Sequence, residues 1–147
     1  MHDLESIKKE LSTLPEWDKQ ICLQSYKGNK DYMLGCGKIK DMSIEESELT
    51  YPIFDLPIIN EIMKVHSLVR TRVLRLDPKE NYSYHKDPTK RFHLPIETNM
   101  KCFFVVEMKE IIQMPANGNH YILDTTREHT AVNAHRHKVR THIVGVL

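Results

Sequence analysis

The chain has 147 residues, of which 28% are charged and 40% are hydrophobic. This composition is ordinary for a globular protein and excludes a disordered chain, a collagen-like repeat and a coiled coil. The 21 Lys and Arg residues against 20 Asp and Glu residues give a formal net charge of +1. The charge balance therefore gives no reason to expect nucleic-acid or membrane partners. A chain of this length is predicted to form a single domain over 1–147.

The N-terminal residues lack the unbroken apolar stretch of a signal peptide, and the longest apolar runs are too short to cross a bilayer. The three cysteines, Cys22, Cys36 and Cys102, have no metal-ligand spacing and cannot all pair with one another. Unpaired cysteines favour a reducing compartment. We therefore expect a soluble, cytoplasmic protein.

The N-terminal part of the chain, 1–70, is predicted to be mainly helical. Apolar residues recur at helical spacing over 3–24, where Pro15 divides the pattern into two helical pieces. The glycine-containing stretch 27–38 is predicted as a loop or hairpin. A second amphipathic helix is predicted over 57–68.

After residue 70 the chain is predicted to fold into short strands. Segments with alternating or continuous apolar residues are separated by turn signals such as Asp-Pro and Asn-Gly. Seven or eight such segments indicate an all-β sandwich or barrel. The segments are RTRVLRL, YSYHKD, RFHLPI, CFFVV, KEIIQM, HYILD, TAVNA and VRTHIVGVL.

Two histidines and an aspartate are the candidate metal ligands. His85 and Asp87 lie two residues apart, so that on a strand their side chains would point to the same face. Together with His129 they match a 2-His-1-carboxylate facial triad, which holds Fe(II) and leaves open positions for a cosubstrate and oxygen. Because the chain has nine histidines, the spacing alone also fits solvated or hydrogen-bonded histidines.

Two basic pairs lie in strand-like segments near these residues. Arg140 and His142 share one face of VRTHIVGV, and Arg91 and His93 share one face of RFHLPI. A guanidinium fixes a carboxylate in distance and orientation, so Arg140 is a candidate for the far end of a pocket for an oxoacid cosubstrate. Polar residues on a solvent-facing side of the same strands would give the same pattern.

The segments HKD, RFHLPIETN, GNHYILDTTREHTAVN and VRTHIVGV, in this order, resemble the aspartyl/asparaginyl β-hydroxylases and the related proline hydroxylases. These families are Fe(II)- and 2-oxoglutarate-dependent oxygenases. The resemblance covers 73–146 and does not extend to the N-terminal part of the chain. It implies a double-stranded β-helix, a cupin-like jelly roll, as the catalytic core over 71–147, with 1–70 as its N-terminal support.

The resemblance also implies roles for individual residues. His85, Asp87 and His129 correspond to the iron ligands of the family. Arg140 corresponds to the residue that binds the distal carboxylate of 2-oxoglutarate.

Four further residues match family motifs. Arg91 and His93 correspond to an Arg-x-His pair beside the cosubstrate. Asn99 and Asp124 match a Thr-Asn and a Leu-Asp element and are assigned to the pocket or its scaffold. Leu74 departs from the pattern, because some relatives have a hydroxyl residue there that helps to hold the cosubstrate.

The resemblance implies an Fe(II)- and 2-oxoglutarate-dependent dioxygenase that uses O2 and hydroxylates an amino acid or a peptidyl Asp, Asn or Pro residue. The segment 29–47 is a candidate for a lid or wall of the substrate pocket. Two alternatives remain open. One is a different His-rich cupin metalloenzyme that uses His93 or His142 as a ligand. The other is a non-catalytic cupin-like barrel that binds a small anion or a protein.

Overall fold

The computed structural model describes residues 1–39, 41 and 43–147. The elements of the N-terminal part are helix α1 (Leu4–Leu11), strands β1 (Gln20–Cys22) and β2 (Gln24–Ser25), a 3₁₀ turn (Glu46–Glu48), strand β3 (Tyr51–Pro52) and helix α2 (Pro57–Val65). Eight strands follow: β4 (Val69–Leu76), β5 (Glu80–Asn81), β6 (Arg91–Glu97), β7 (Cys102–Val106), β8 (Glu110–Ile112), β9 (Tyr121–Leu123), β10 (His129–Asn133) and β11 (Arg140–Val146). Within the described residues, neither helix has the length and hydrophobicity that a bilayer span requires.

The eight strands β4 to β11 form a jelly roll. Except for β7 and β8, which are neighbours, consecutive strands alternate between a five-stranded sheet of order β1-β4-β11-β6-β9 and a four-stranded sheet of order β5-β10-β7-β8. Every pair in the two sheets is antiparallel. This alternation is the topology of two interleaved Greek keys. The prediction of a cupin-like double-stranded β-helix is therefore confirmed.

The prediction of a second helical piece after Pro15 is wrong. The helix ends at Leu11, and β1 pairs with the edge of β4, with Ile21 opposite Val73. The strand is favoured for two reasons. Ile21 is completely buried in it, and β1 pairs with an edge of β4 that would otherwise be unpaired. The N-terminal part is therefore two short helices combined with three short strands, and not mainly helical.

Helices α1 and α2 are joined by a charged contact. The N-cap of α2, Leu56, has no side chain that can accept a hydrogen bond. Instead the Glu10 carboxylate accepts hydrogen bonds from the backbone N–H groups of Ile58 at 2.7 Å and Ile59 at 3.1 Å. An anion at this position also interacts favourably with the helix dipole. The predicted helix over 57–68 is confirmed, although it ends at Val65.

The five-stranded sheet has two chemically different faces. Along β6, Phe92 and Leu94 point to the apolar core beneath the two helices, whereas Arg91 and His93 point to a cavity between the two sheets. This alternation follows from the two-residue period of a strand. The outer face of the sheet thus packs into the larger hydrophobic core, and the inner face carries the polar groups beside a smaller apolar cluster that includes Leu76 and Leu123.

Candidate metal centre and its cavity

His85 and His129 are brought together by a backbone bridge. The His85 N–H donates to the His129 carbonyl at 3.1 Å, and the His129 N–H donates to the His85 carbonyl at 3.0 Å. His129 is the first residue of β10, whereas His85 lies in the connection between β5 and β6. The strand predicted over 82–87 is therefore reduced to a single bridge. That bridge is sufficient to place the two imidazoles side by side.

Both imidazoles have a fixed orientation. Nδ1 of His85 lies 2.8 Å from the Ser83 carbonyl, and Nδ1 of His129 lies 2.8 Å from the Arg127 carbonyl. A carbonyl oxygen can only accept, so each Nδ1 carries a proton and Nε2 is left as the nitrogen that a metal can bind. This is the arrangement that prepares a histidine to bind a metal through Nε2.

The Asp87 carboxylate lies between the two Nε2 atoms. Its Oδ1 is 3.7 Å from Nε2 of His85, and its Oδ2 is 3.5 Å from Nε2 of His129. The backbone N–H of Asp87 donates to the Thr125 carbonyl at 2.8 Å, which fixes this residue against the turn before β10. The Arg91 guanidinium lies 3.6 Å from Oδ1 and restrains the carboxylate from the other side.

The donor set fits one divalent transition metal. One ligand atom from each of His85, Asp87 and His129 lies within 4.8 Å of the other two. Two neutral imidazoles and one carboxylate on one side of a cation are the facial triad of non-haem Fe(II) oxygenases. His129 is buried while His85 is exposed, so the site opens toward the solvent on one side.

The candidate ligands lie at the edge of a cavity of about 940 Å³ between the sheets. Arg140 and Arg91 line the same cavity, as does His93. Arg140 is only 2% exposed, and the centre of its guanidinium lies 5.4 Å from the centroid of the Phe104 ring. Among the described residues Arg140 has no carboxylate partner, and its Nε has no hydrogen bond. A buried cation of this kind calls for an anionic ligand.

His93 and His142 form a buried pair on neighbouring strands. Their Nδ1 atoms are 3.2 Å apart, so one ring donates to the other. Burial, and then the charge of Arg140, hold the pKa of both rings well below the usual 6.5. Within the described part of the chain, neither belongs to a group of three potential metal ligands. The pair is therefore a neutral lining beside Arg140.

The cavity also has a cationic wall that the sequence analysis did not identify. Arg70 and Arg72 point inward from β4, and Glu46 from the 3₁₀ turn forms ion pairs with Arg70 and Arg91. The Arg70 Nε donates to the Gly35 carbonyl at 3.0 Å. The alternation of RTRVLRL could have revealed these arginines, because it places them on the same face as Leu74.

Arg72 differs from Arg70 in having few partners. Its Nη1 donates to the Gln20 side chain at 3.1 Å, and its buried Nε has no partner among the described residues. Burial, followed by the charge of Arg70, lowers the pKa of Arg72 to about 10. Arg72 is therefore a charged side chain with unused hydrogen-bonding capacity at the cavity.

Asn99 and Asp124 stabilise turns and do not line the cavity. The Asn99 Oδ1 accepts from the Lys101 N–H at 2.9 Å in the turn between β6 and β7. The Asp124 Oδ1 accepts from the N–H of Thr126 at 3.2 Å. Gly37 and Lys38 of the segment 29–47 line the cavity, as predicted for a wall, whereas positions 40 and 42 of that segment lie outside the described residues.

A jelly roll with two histidines and a carboxylate at the edge of an inner cavity defines a cupin with a candidate metal centre. The sequence profile of the aspartyl/asparaginyl beta-hydroxylase family matches residues 2–144, and the chain therefore belongs to this family. The match begins far before residue 73, where the sequence resemblance began, and includes the N-terminal helices and strands. No curated protein sequence matches the chain.

Three solved structures are similar to parts of the molecule, each over 54% of this chain. The DMSP lyase DddQ from Ruegeria pomeroyi is 14% identical, with a TM-score of 0.43 and 37% of its chain covered. The conserved protein SPY1581 of unknown function from Streptococcus pyogenes is 15% identical, with a TM-score of 0.42 and 63% of its chain covered. The cupin superfamily protein DSY2733 from Desulfitobacterium hafniense is 9% identical, with a TM-score of 0.43 and 67% of its chain covered. The chain thus covers less than two thirds of the first two proteins.

Proposed function

We propose that the protein is an Fe(II)- and 2-oxoglutarate-dependent dioxygenase that hydroxylates a C–H bond of an amino acid or of a peptidyl Asp, Asn or Pro residue. The observation that carries the proposal is the combination, in one cavity, of a 2-His-1-carboxylate donor set with the unpartnered guanidinium of Arg140. Membership of a hydroxylase family supports the reaction class.

His85, Asp87 and His129 would hold the iron. When bound together with 2-oxoglutarate and O2, the iron supplies the oxidising power for hydroxylation, with release of succinate and CO2. The protein contributes the orientation of the ligands: the carbonyls of Ser83 and Arg127 hold the two imidazole tautomers before any metal arrives. This preorganisation reduces the reorganisation that metal binding requires.

Arg140 would bind the distal carboxylate of 2-oxoglutarate. A guanidinium fixes a carboxylate with two parallel hydrogen bonds, and burial strengthens such a charged contact. The Phe104 ring beneath the guanidinium holds it in place through a cation–π contact. The neutral His93 and His142 beside it add no further positive charge.

Arg91 is better explained as a positioning residue than as a ligand of the cosubstrate. Its guanidinium is already occupied, because it donates to the Thr89 hydroxyl at 2.7 Å and lies 3.3 Å from Glu46 and 3.6 Å from Asp87. These contacts hold the Asp87 carboxylate toward the two histidines.

The substrate is proposed to carry a carboxylate. Among the described residues, the lining of the cavity has six Lys and Arg side chains and two carboxylates. Arg140 would bind one anionic ligand, the cosubstrate. Arg72, whose Nε has no hydrogen-bond partner among the described residues, would bind a second anionic group. This excess of positive charge favours a free amino acid or a peptidyl aspartate over an uncharged substrate.

The alternative of a different His-rich metalloenzyme is less well supported. It requires His93 or His142 as a metal ligand, but within the described part of the chain neither ring belongs to a group of three potential metal ligands. The non-catalytic alternative is disfavoured by the intact donor set, because a barrel that only binds an anion does not need three converging ligand atoms.

The direct test of the proposal is the release of succinate from 2-oxoglutarate in the presence of Fe(II) and O2. Free L-aspartate, L-asparagine and L-proline and short peptides that contain them serve as substrates, and mass spectrometry detects a gain of one oxygen atom. We expect succinate release to be stimulated by an acidic substrate and to be lost in His129→Ala. Metal binding without turnover of 2-oxoglutarate in the wild type would contradict the proposal.

A further inference from the structure

A second group of histidines lies outside the cavity. His2 precedes α1, His66 is the C-cap of α2, and His120 immediately precedes β9. The three residues are far apart in the sequence, yet one nitrogen of each lies within 4.8 Å of the other two. The proposed function uses none of them.

The backbone of His2 and that of His66 are anchored by hydrogen bonds. The His2 N–H donates to the Gly118 carbonyl at 2.7 Å, and Gly118 adopts a positive φ of 88° close to the backbone of His2. The N–H of His66 donates to the Ile62 carbonyl at 3.1 Å. These contacts make the meeting of the three segments a consequence of the fold.

The rings pack on one another and on Phe92. The His120 ring stacks on Phe92 with a centroid distance of 4.9 Å and an interplanar angle of 20°. The His66 ring lies 4.6 Å from His120 and 5.0 Å from Phe92, measured between centroids. The rings are therefore held close together by aromatic packing, while none of the three is fully buried.

One pair of nitrogen atoms lies close to the separation that a metal requires. Nε2 of His2 lies 3.0 Å from Nδ1 of His120. In a tetrahedral site with Zn–N bonds of about 2.0–2.1 Å, two nitrogen ligands lie roughly 3.3 Å apart. A metal ion would replace the hydrogen bond between these rings with only a small movement of the side chains.

We propose that His2, His66 and His120 form a second metal site, with Zn²⁺ or another borderline divalent cation as its ligand. Three protein ligands with a fourth position open to water is a common zinc arrangement. The group contains no carboxylate, so it does not favour hard cations such as Mg²⁺ or Ca²⁺.

Electrostatics keep the site ready for a metal. Burial, followed by the charge of neighbouring histidines, lowers the pKa of both His2 and His120. A neutral imidazole is the form that binds metals, so these two shifts favour the metal-binding form of His2 and His120.

The site is separate from the catalytic cavity. Phe92, which supports the rings, points to the outer face of β6, whereas its neighbours Arg91 and His93 point to the cavity. A metal at the outer site would link the N-terminal segment, α2 and β9. Its expected effect is therefore on stability and not on the reaction.

The test uses untagged protein that carries His129→Ala, because this change disables the candidate iron site and leaves one site to count. After equilibration with Zn²⁺ and removal of excess metal, we expect about one zinc per chain. His66→Gln and His120→Gln in the same background should reduce this to near zero, whereas the matched control His137→Gln should not. At a free zinc concentration of 100 times the Kd, zinc should raise Tm by about 10 °C, except in the two site variants.

Melting of the metal-free variants separates loss of the site from loss of the fold. His120 is partly exposed, so His120→Gln is expected to keep the Tm of the metal-free parent and to carry the test even if His66→Gln destabilises α2. Zinc binding that survives both substitutions, or that is lost equally in the His137→Gln control, would overturn the proposal. The same result would leave the proposed oxygenase function untouched, since that depends on His85, Asp87 and His129.

Discussion

The two histidine clusters lie on opposite faces of strand β6 and differ in how their nitrogen atoms are held. In the cavity, His85 and His129 each bind a backbone carbonyl through Nδ1, and a carboxylate lies between their Nε2 atoms. On the outer face, His2 and His120 hydrogen-bond to each other, and no carboxylate belongs to the group.

This difference in partners means that the cavity histidines are already oriented for a metal, whereas the outer histidines would have to change their hydrogen bonds to bind one. Outer-sphere hydrogen bonds fix the tautomer and direction of a ligand before binding, whereas rings that hydrogen-bond to each other must first give up that contact. We therefore assign chemistry to the cavity cluster and a stabilising role to the outer cluster. The presence of several histidines alone would not distinguish them.

The largest expected effect is the loss of hydroxylation on removing a cavity ligand. Asp87→Ala should reduce kcat/KM by more than about 100-fold, since even the loss of an outer-sphere partner typically costs 10–100-fold. His120→Gln, on the outer face, should leave kcat/KM within about twofold. Steady-state succinate release measures both variants, and equal losses in the two would remove the distinction between the clusters.

Arg140→Met should weaken 2-oxoglutarate binding strongly while stabilising the ligand-free protein. Loss of a buried charge partner typically costs 2–5 kcal/mol of binding, which corresponds to a rise in KM for 2-oxoglutarate of at least about 30-fold. Because the buried guanidinium has no carboxylate partner among the described residues, its replacement should increase the free energy of unfolding by on the order of 1 kcal/mol. Urea denaturation without ligands checks the sign, and a destabilised variant would show that Arg140 has a structural role.

Arg91→Lys tests the orientation of Asp87. The change keeps the positive charge but removes the planar group that contacts Thr89, Glu46 and Asp87. Metal affinity should fall by about 10–100-fold, while the KM for 2-oxoglutarate at saturating metal should change little. A large rise in that KM instead would assign Arg91 to the cosubstrate site.

The buried pair His93 and His142 should make stability depend on pH. Their pKa values in the folded protein lie below the usual 6.5, mainly because they are buried. The unfolded chain therefore binds more protons below pH 6.5, and the free energy of unfolding falls as the pH decreases, by up to about 1.4 kcal/mol per pH unit for each ring.

His142→Gln removes one of these titrating groups and should make that pH dependence shallower. Chemical denaturation between pH 5 and 7 measures the change against the wild type. An unchanged slope would mean that His142 is not kept neutral by its surroundings.

A β-sandwich or barrel was predictable from the sequence because its strands are short, alternating and separated by turn residues, and the family resemblance narrowed this prediction to a jelly roll. The cavity residues His85, Asp87, His129 and Arg140 were predictable as a group because each lies in a motif. Strand β1 was missed, because its apolar residues also fit a helix and its partner β4 lies about 50 residues later. Local patterns do not report such distant pairings.

The outer histidine cluster could not be predicted for the same reason. His2, His66 and His120 lie in three unrelated segments, and they meet only because His66 and His120 both pack on Phe92 and His2 is bonded to Gly118. The cationic wall was partly predictable from the sequence, because the two-residue spacing of Arg70 and Arg72 already implies that they share one face of a strand. Its ion pair with Glu46 depends on the path of the loop before β3.

The most direct test of the central claim is an anaerobic titration of the protein with Fe(II) and 2-oxoglutarate, followed by visible absorption. Chelation of the metal by 2-oxoglutarate at the cavity site should produce a charge-transfer band with one site per chain. The band should be absent in His129→Ala, should need far more 2-oxoglutarate in Arg140→Met and should be unchanged in His120→Gln. A band that persists in His129→Ala, or no band in the wild type with iron bound, would contradict the assignment of the cavity as a 2-oxoglutarate-dependent iron centre.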